Sequence, residues 1–599
     1  MDQTVRDDRH KRGTKHTSTP GGNEFCVWSA LQPGRRLVAR RFPPILAASM
    51  TPRLPRPSAP LRWLAAVLSG LGLYFAFPNW DQAWLAWIAL TPLLAAIWLP
   101  TPEVKPPERS KWICWMFQPG PFPLGYVTGA FFFVPSIYWM SEVTGPGWFI
   151  FTLYLAFYPA IWAWLMARAF RPGSIASFLR SGFNLHAALL GAAAWTGLEW
   201  IRGQMISGFA WNSLGVALHA NLPFIQLAEY GGVGGLSFLL VFVNVIAAAT
   251  VIRFTLEVTA GRLRPHFDFT LTMALVVGLF VFGYHTLRSA KIGTSRVPLR
   301  FAAVQPAIPQ NEKFDPATTQ RVFEVLERFT AIAIATQPQL LIWPEAATTN
   351  GLFYDEANFK FVTNLAQRGP FHFLLGTLDF EFKEDGQRTD FNAAVLLPAG
   401  GGDAQIYHKI HLVPFGEFIP FRHSFPPFVW MVGGQVPGDF TPGRAPGIFQ
   451  LPDPLLKIAP LICFEDTVGE LTRHPVLLGA QLLVNVTNDG WFNRSDESRQ
   501  HLANAVFRTV ENRRPLIRAA NTGVTCVIDE FGRIRQLLAD ASGDTFSPGV
   551  LSGVIEVATD PPLTFYTRYG EAFSIICLVF STIHAALSLF VRRSRARPA

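Results

Sequence analysis

The sequence predicts an α-helical membrane bundle of eight transmembrane helices joined to an extracytoplasmic α/β domain. Three observations carry this. Half of the 599 residues are hydrophobic while only 16% are charged, and the mean hydropathy is +0.24, too apolar for an ordinary soluble protein of this size. Eight apolar segments stand out, and between the seventh and eighth the pattern changes to short β-rich runs alternating with amphipathic helices.

The segments lie near 63–78, 84–99, 125–140, 148–167, 186–201, 222–252, 269–285 and 572–591. Several approach the ~20 residues that span a bilayer. The first three are short, and 222–252 is long and interrupted by Gly231, Gly232, Gly234 and Gly235. With a cytoplasmic start, the second, fourth and sixth loops also face the cytoplasm. They hold Lys105, Arg109 and Lys111, then Arg168, Arg171 and Arg180, then Arg253, Arg262 and Arg264, whereas the odd loops hold only Arg202. Basic loops stay on the cytoplasmic side. Seven crossings therefore predict an exported segment, and the eighth returns the Arg-rich tail 592–599 inside.

The net charge of +9 does not call for a nucleic-acid partner. Residues 1–62 hold 12 Lys/Arg against 4 Asp/Glu, and Arg592, Arg593, Arg595 and Arg597 close the chain. This placement beside apolar runs suits a membrane rather than a nucleic acid. Residues 1–58 read as a disordered basic tail, with Met50 a candidate start of translation, and 59–285 as the seven-helix part. The five cysteines, at 26, 114, 463, 526 and 577, show no CxxC pair and no metal-ligand spacing.

The exported domain is expected over 297–560. LRFAAVQPAI (299–308) reads as a strand, Asp315 as the cap of a helix with Pro316 at its first position, and QLLIWPEA (339–346) as a strand ending at Glu345. A helix near 356–367 and strand-like runs at 371–380, 391–398 and 404–413 follow. LKIAPLICFED (456–466) is a strand ending at Cys463, and AQLLVNVTND (480–489), a helix over 497–512 and strands near 516–528 and 549–557 complete the order. Such an order suits a layered α/β domain.

Glu345, Lys409 and Cys463 each stand near the end of an apolar strand, where ligand sites gather in such folds. A carboxylate, an ammonium and a thiol suit nucleophilic catalysis: base, oxyanion donor and nucleophile, with the Phe464 backbone N–H as a second donor. A buried hydrophobic Cys, a helix cap and a solvated Lys fit the same positions, and spacing does not decide between these readings.

The surrounding residues go further. WPEA (343–346), HKIHLVPFGEFIP (408–420), LICFED (461–466) and TNDGWF (487–492) resemble the nitrilase, or carbon–nitrogen hydrolase, superfamily, whose members use a Glu-Lys-Cys triad. The LVPFGE form with eight crossings is similar to the apolipoprotein N-acyltransferase family, as are GFAWNSLG (208–215), NTGVT (521–525) and TFYTRYGE (564–571). The resemblance implies an αββα sandwich on a membrane base. It places the triad on Glu345, Lys409 and Cys463, with Glu417, Glu465, Asn392 and Phe464 in supporting positions. Phe464 stands where some members have Tyr, and Phe314 where Trp is common.

The implied reaction moves an acyl chain from a phospholipid, through a Cys463 thioester, to the α-amine of a diacylglyceryl-cysteine apolipoprotein. This is the last step of lipoprotein maturation, at the bacterial inner membrane, with the catalytic domain facing the periplasm and no cofactor or metal. A membrane-anchored nitrilase-type amidase is the nearest alternative; it needs no more than one crossing. A non-catalytic scaffold is the other, and the three filled triad positions speak against it. The apolar stretch 418–434 is a candidate mobile lid, with Phe425, Phe428, Trp430 and Met431 reaching the bilayer and Gly433 and Gly434 as a hinge.

Overall fold

A computed structural model describes residues 55–101, 119–170, 175–206, 208–289, 295–313, 315–348, 350–384, 386–419, 422, 424, 429 and 439–596. The tail 1–54, Phe314 and the lid residues Phe425, Phe428, Trp430, Met431, Gly433 and Gly434 lie outside the described residues.

The first half is helical: α1 (Ala59–Phe75), α2 (Thr91–Trp98), α3 (Pro121–Ser136), α4 (Gly145–Leu155), α5 (Phe157–Arg168), α6 (Ser181–Arg202), α7 (Ala228–Thr259) and α8 (Phe267–Ser289). Among the described residues four helical stretches are long and apolar enough to cross a membrane: Gly145–Arg168, Ala228–Thr259, Phe267–Ser289 and Ala572–Val591. The other four apolar segments of the sequence also lie on helices, which fall short in length or hydropathy.

The segment near 84–99 shows why. It forms a 3-10 turn over Ala83–Trp87 and then α2, so its helical ladder is interrupted. Asn244 of α7 occupies the break: its Nδ2 donates to Ala86 O and its Oδ1 accepts from Leu90 N, each at 2.8 Å. Backbone groups freed from a helix in an apolar setting need such a partner. The run 222–252 is likewise divided, by Gly232 at φ 60° and ψ −165° inside α7. A side chain there would meet both the left-handed backbone penalty and the Tyr566 ring, 2.7 Å from an added Cβ.

The second half holds two six-stranded sheets. One comprises β1 (Arg296–Gln305), β2 (Leu340–Ile342), β3 (His372–Phe382), β4 (Arg388–Leu397) and β5 (Gln405–His408). The other comprises β6 (Phe449–Pro452), β7 (Leu455–Ile462), β8 (Leu482–Thr487), β9 (Leu516–Ala520), β10 (Cys526–Ile528) and β11 (Ile534–Leu537). The last strand, β12 (Gly549–Ala558), returns to the first sheet beside β1. The orders are β12-β1-β2-β3-β4-β5 and β11-β10-β9-β8-β7-β6. In each, three parallel strands (β1-β2-β3 and β7-β8-β9) are flanked by antiparallel ones, so the two sheets repeat one pattern.

Side-chain alternation assembles the layers. Leu299, Phe301 and Ala303 of β1 join Leu340 and Ile342 of β2 in one core with Ile458, Ile462 and Leu482 of the opposite sheet. Ala302, Val304 and Leu341 point the other way, into a second core with Val322 and Leu326 of α9 (Thr319–Ala335) and Val362 of α10 (Glu356–Ala366). On the far side α11 (Gly469–Leu477) and α12 (Glu497–Asn512) cover the second sheet through Val476, Val506, Phe507 and Val510. Each such side chain contributes about 1.5–3 kcal/mol of burial. The result is an αββα sandwich, closed by a last helix, α13 (Ala572–Ala596).

Strand and helix limits differ from the sequence reading in a few places. The helix expected from Asp315 opens as a 3-10 turn at Pro316–Thr318, with Asp315 accepting from Ala317 N at 2.9 Å, before α9. The run 404–413 is a strand only to His408, because Lys409 and the residues after it turn towards the site.

Candidate active site

Glu345 leaves the end of β2, three residues after Ile342. Its backbone passes so close to β3 that a Cβ on Gly376 would stand 2.5 Å from Glu345 Cα, so only glycine fits there. Lys313 Nζ, itself buried, donates to Glu345 O at 2.8 Å. Asn392 projects from β4, and Lys409 follows β5 directly, its N–H bonded to Asn392 O at 2.8 Å. The LVPFGE loop closes on itself through Glu417 Oε2, which accepts from Val413 N at 2.8 Å.

These four side chains form one buried ring. Asn392 Nδ2 donates to Glu345 Oε1 and to Glu417 Oε1, both at 2.8 Å. Lys409 Nζ lies 2.9 Å from Glu417 Oε1 and 3.4 Å from Glu345 Oε1. One cation and one amide thus serve two carboxylates. Glu345 Oε2 is buried and has no hydrogen-bond partner among the described residues. Burial alone would favour a neutral Lys409, but the charges of Glu417 and Glu345 outweigh it and hold the ammonium above its ordinary pKa.

Cys463 follows β7 directly and begins a 3-10 turn over Cys463–Thr467. Its φ is 50°, a left-handed conformation that costs a residue with a Cβ roughly 1–2 kcal/mol. Such strained residues collect where a side chain must be presented in a fixed direction. Cys463, Glu345 and Lys409 line the same cavity of about 550 Å³, together with Asn392, Glu417 and Phe464. Burial, followed by the Glu345 charge, pushes the Cys463 thiol up to about 12, against the pull of Lys409 and His501. At neutral pH the resting group is a thiol. A thiolate then requires proton transfer to a neighbouring group.

Glu465 serves differently from its neighbour. Its Oε2 accepts from Ile462 N at 2.8 Å, and its Oε1 accepts from Ile410 N at 2.7 Å and His411 N at 3.2 Å. Tyr407 donates to the same carboxylate at 2.9 Å. Glu465 therefore ties the Cys463 turn to the backbone that follows Lys409, and it does not line the cavity. Burial pushes its carboxyl up to about 7 despite these donors.

The helical half supplies the other wall. Phe209 and Trp211 of GFAWNSLG stack on Phe464; the Trp211 ring lies 5.7 Å from it and 1° from parallel. Glu199 of α6 fixes this loop by accepting from Leu214 N at 2.8 Å, and Arg202 by donating to Ser213 Oγ at 3.1 Å. The polar groups that keep α6 less apolar than its neighbours thus hold the aromatic wall in place. Trp139, Phe151 and Tyr154 continue the lining.

The structure brings all seven sequence-derived site residues together: six line the cavity and Glu465 braces it. Sequence reasoning did not single out Lys313, Tyr407, Trp211 or His501. Trp211 lay within a quoted motif, and the others carried no periodic signal. Among the described residues, Asp489, Glu497 and His501 form a group of metal-ligating types. The chain supplies its own cation there, because Arg518 bridges Asp489 and Asp466 at 2.9 and 2.8 Å.

Residues 69–246 match the family model of the apolipoprotein N-acyltransferase N-terminal domain, and 300–558 match that of carbon–nitrogen hydrolases. The chain is 36% identical to the apolipoprotein N-acyltransferase of Geobacter metallireducens, over 89% of this chain and 96% of that protein. It is 28% identical to apolipoprotein N-acyltransferase 1 of Treponema denticola, over 71% of this chain and 81% of that protein. An amidase of the nitrilase superfamily from Nesterenkonia AN1 is 20% identical, with a TM-score of 0.34 over 46% of this chain and 94% of that one. With an N-terminal helical half, a carbon–nitrogen hydrolase sandwich and a relative of near-equal extent, the chain belongs to the apolipoprotein N-acyltransferase family.

Proposed function

We propose that the protein transfers a fatty acyl chain from a phospholipid to the α-amine of an apolipoprotein's N-terminal diacylglyceryl-cysteine, with Cys463 as the acyl carrier. The observation that carries this reading is a single apolar cavity lined by Cys463, Glu345 and Lys409 on one side and by Phe151, Tyr154, Phe209 and Trp211 of the helical half on the other. A site that joins a nucleophile to a membrane wall suits a lipid ester more than a soluble amide.

In the first half-reaction Glu345 Oε2 takes the Cys463 proton and the thiolate attacks the ester carbonyl carbon. Lys409 Nζ and the Phe464 N–H stabilise the oxyanion; the N–H groups of a helix's first turn lack partners within the helix. The C–O bond then breaks, Glu345 returns the proton to the leaving alkoxide, and lysophospholipid departs. In the second half the lipoprotein amine attacks the thioester carbonyl and gives its proton to Glu345. The C–S bond breaks, Cys463 regains a proton, and an amide is released. Asn392 and Glu417 keep Lys409 and Glu345 in place throughout.

The finer architecture belongs to the same proposal. Eight crossings (seven over 59–285 and one over 572–591) would set residues 297–560 in the periplasm of a bacterial inner membrane, with 592–599 cytoplasmic. The nine basic residues of the even loops against Arg202 in the odd ones support it.

A nitrilase-type amidase would share the triad but discharge the thioester to water. Mass spectrometry of a diacylglyceryl-cysteine peptide after incubation with enzyme and phospholipid separates the two. A mass gain of one acyl chain, on the α-nitrogen, is expected. Free fatty acid with an unchanged peptide would overturn the transferase reading.

A further inference from the structure

Side chains from other elements meet the left-handed Cys463 (φ 50°) at its backbone. Two reach its carbonyl oxygen: Asn485 Nδ2 of β8 at 3.0 Å and His501 Nε2 of α12 at 3.2 Å. Asp466 Oδ1 lies nearer to Nε2, at 2.8 Å, so the ring N–H faces both this carboxylate and Cys463 O. The other ring nitrogen lies 3.2 Å from Asp489 Oδ1 and 3.3 Å from Glu497 Oε1. His501 is therefore held from β8's following turn, from α12 itself and from the Cys463 turn, with Arg518 balancing the acids. Burial and Arg518 disfavour its charge, but Asp466 and Asp489 outweigh them and keep its pKa above the ordinary value, so Nε2 carries a proton at neutral pH.

The preceding residue anchors the same helix to the membrane half. Gln500 Oε1 accepts from Trp211 Nε1 at 2.7 Å, and from Asn212 Nδ2 and Trp139 Nε1 at 3.2 and 3.3 Å. Gln500 Nε2 donates to Ser136 O at 3.0 Å and Pro78 O at 3.1 Å. All of these contacts are buried, and none involves the triad.

We propose that His501 is a positioning residue for the nucleophile: by donating to Cys463 O, jointly with Asn485, it keeps Cys463 left-handed and its thiol aimed into the cavity. Gln500 sets where His501 stands by fixing α12 to the ends of the membrane helices. The placement of the nucleophile thus depends on how the sandwich is seated on the bundle. The inference rests on the reading of Cys463 as acyl carrier.

The test compares His501→Gln, whose amide can still donate, with His501→Met, of similar size but without a donor. Full-length enzyme in detergent micelles receives labelled phosphatidylethanolamine alone, and the rate of label transfer to protein is measured. His501→Met should slow thioester formation at least about tenfold, while the KM for phospholipid stays within about twofold. His501→Gln should recover most of that loss. Equal rates for the two variants, or a change confined to KM, overturn the proposal. Should His501→Met fail to fold, Asn485→Asp removes the other donor to the same carbonyl; it should slow the step similarly, and a parental rate there overturns the proposal too. A parent enzyme that acquires no label at all would instead sink the acyl-carrier reading itself.

Discussion

Lys409 Nζ is closer to Glu417, at 2.9 Å, than to Glu345, at 3.4 Å. Of the two carboxylates that line the cavity with Cys463, the one nearer to the lysine is therefore Glu417. Glu345 Oε2 has no hydrogen-bond partner among the described residues, while Lys409 stays charged beside it. In the proposed mechanism Glu345 is the base and Lys409 the oxyanion donor, and Glu417 supplies the lysine's nearer counter-charge.

Two substitutions separate those roles. Glu345→Gln keeps the shape but removes the proton acceptor, and Lys409→Met removes the cation. Each should lower turnover at least ~10²-fold with the protein still folded. Assays of lysophospholipid release together with thermal unfolding in detergent check this. Near-parental turnover in either variant would mean that the roles are misassigned.

Thiol reactivity should move in opposite directions in the same pair. Burial raises the Cys463 pKa to about 12, the Glu345 charge adds to that rise, and the Lys409 charge opposes it. Alkylation by iodoacetamide at pH 8–9 consumes the thiolate. It should be faster than in the parent for Glu345→Gln and slower for Lys409→Met. Parallel changes in the two variants would contradict this electrostatic account.

Much of the site was legible because Glu345 and Cys463 follow unbroken apolar strands and Lys409 sits in a motif beside a third. What escaped depends on long-range packing. Glu465 follows Cys463 by two residues, and nothing local shows that it turns away from the cavity to meet Tyr407, Ile410 and His411. The break near Ala86–Leu90 was hidden for the same reason, because its partner Asn244 is far along the chain. Hydropathy reports which segments are apolar, not which are interrupted by a polar neighbour.

Glu465→Gln offers a test of the brace. An amide presents one acceptor oxygen where the carboxylate presents two, so at least one of the Ile462, Ile410, His411 and Tyr407 donors is left unsatisfied. Such a loss costs about 1–3 kcal/mol. A lower unfolding temperature and slower thioester formation are expected. Unchanged stability would remove the bracing role.

The proposed orientation can be read by labelling. Glu384 and Arg262 are both exposed. In spheroplasts, a membrane-impermeant maleimide should modify Glu384→Cys but reach Arg262→Cys only after lysis. The reverse pattern would invert the topology.

The most direct test of acyl transfer through Cys463 is a single-turnover experiment without acceptor. Enzyme mixed with labelled phospholipid should release about one lysophospholipid per active site and stop. The label should reside on Cys463, leave with neutral hydroxylamine, and pass to a diacylglyceryl-cysteine peptide when one is added. Cys463→Ala should give no burst, and Cys526→Ala should behave as the parent. Continuous lysophospholipid release with no acceptor, or a burst that survives Cys463→Ala, would contradict the account.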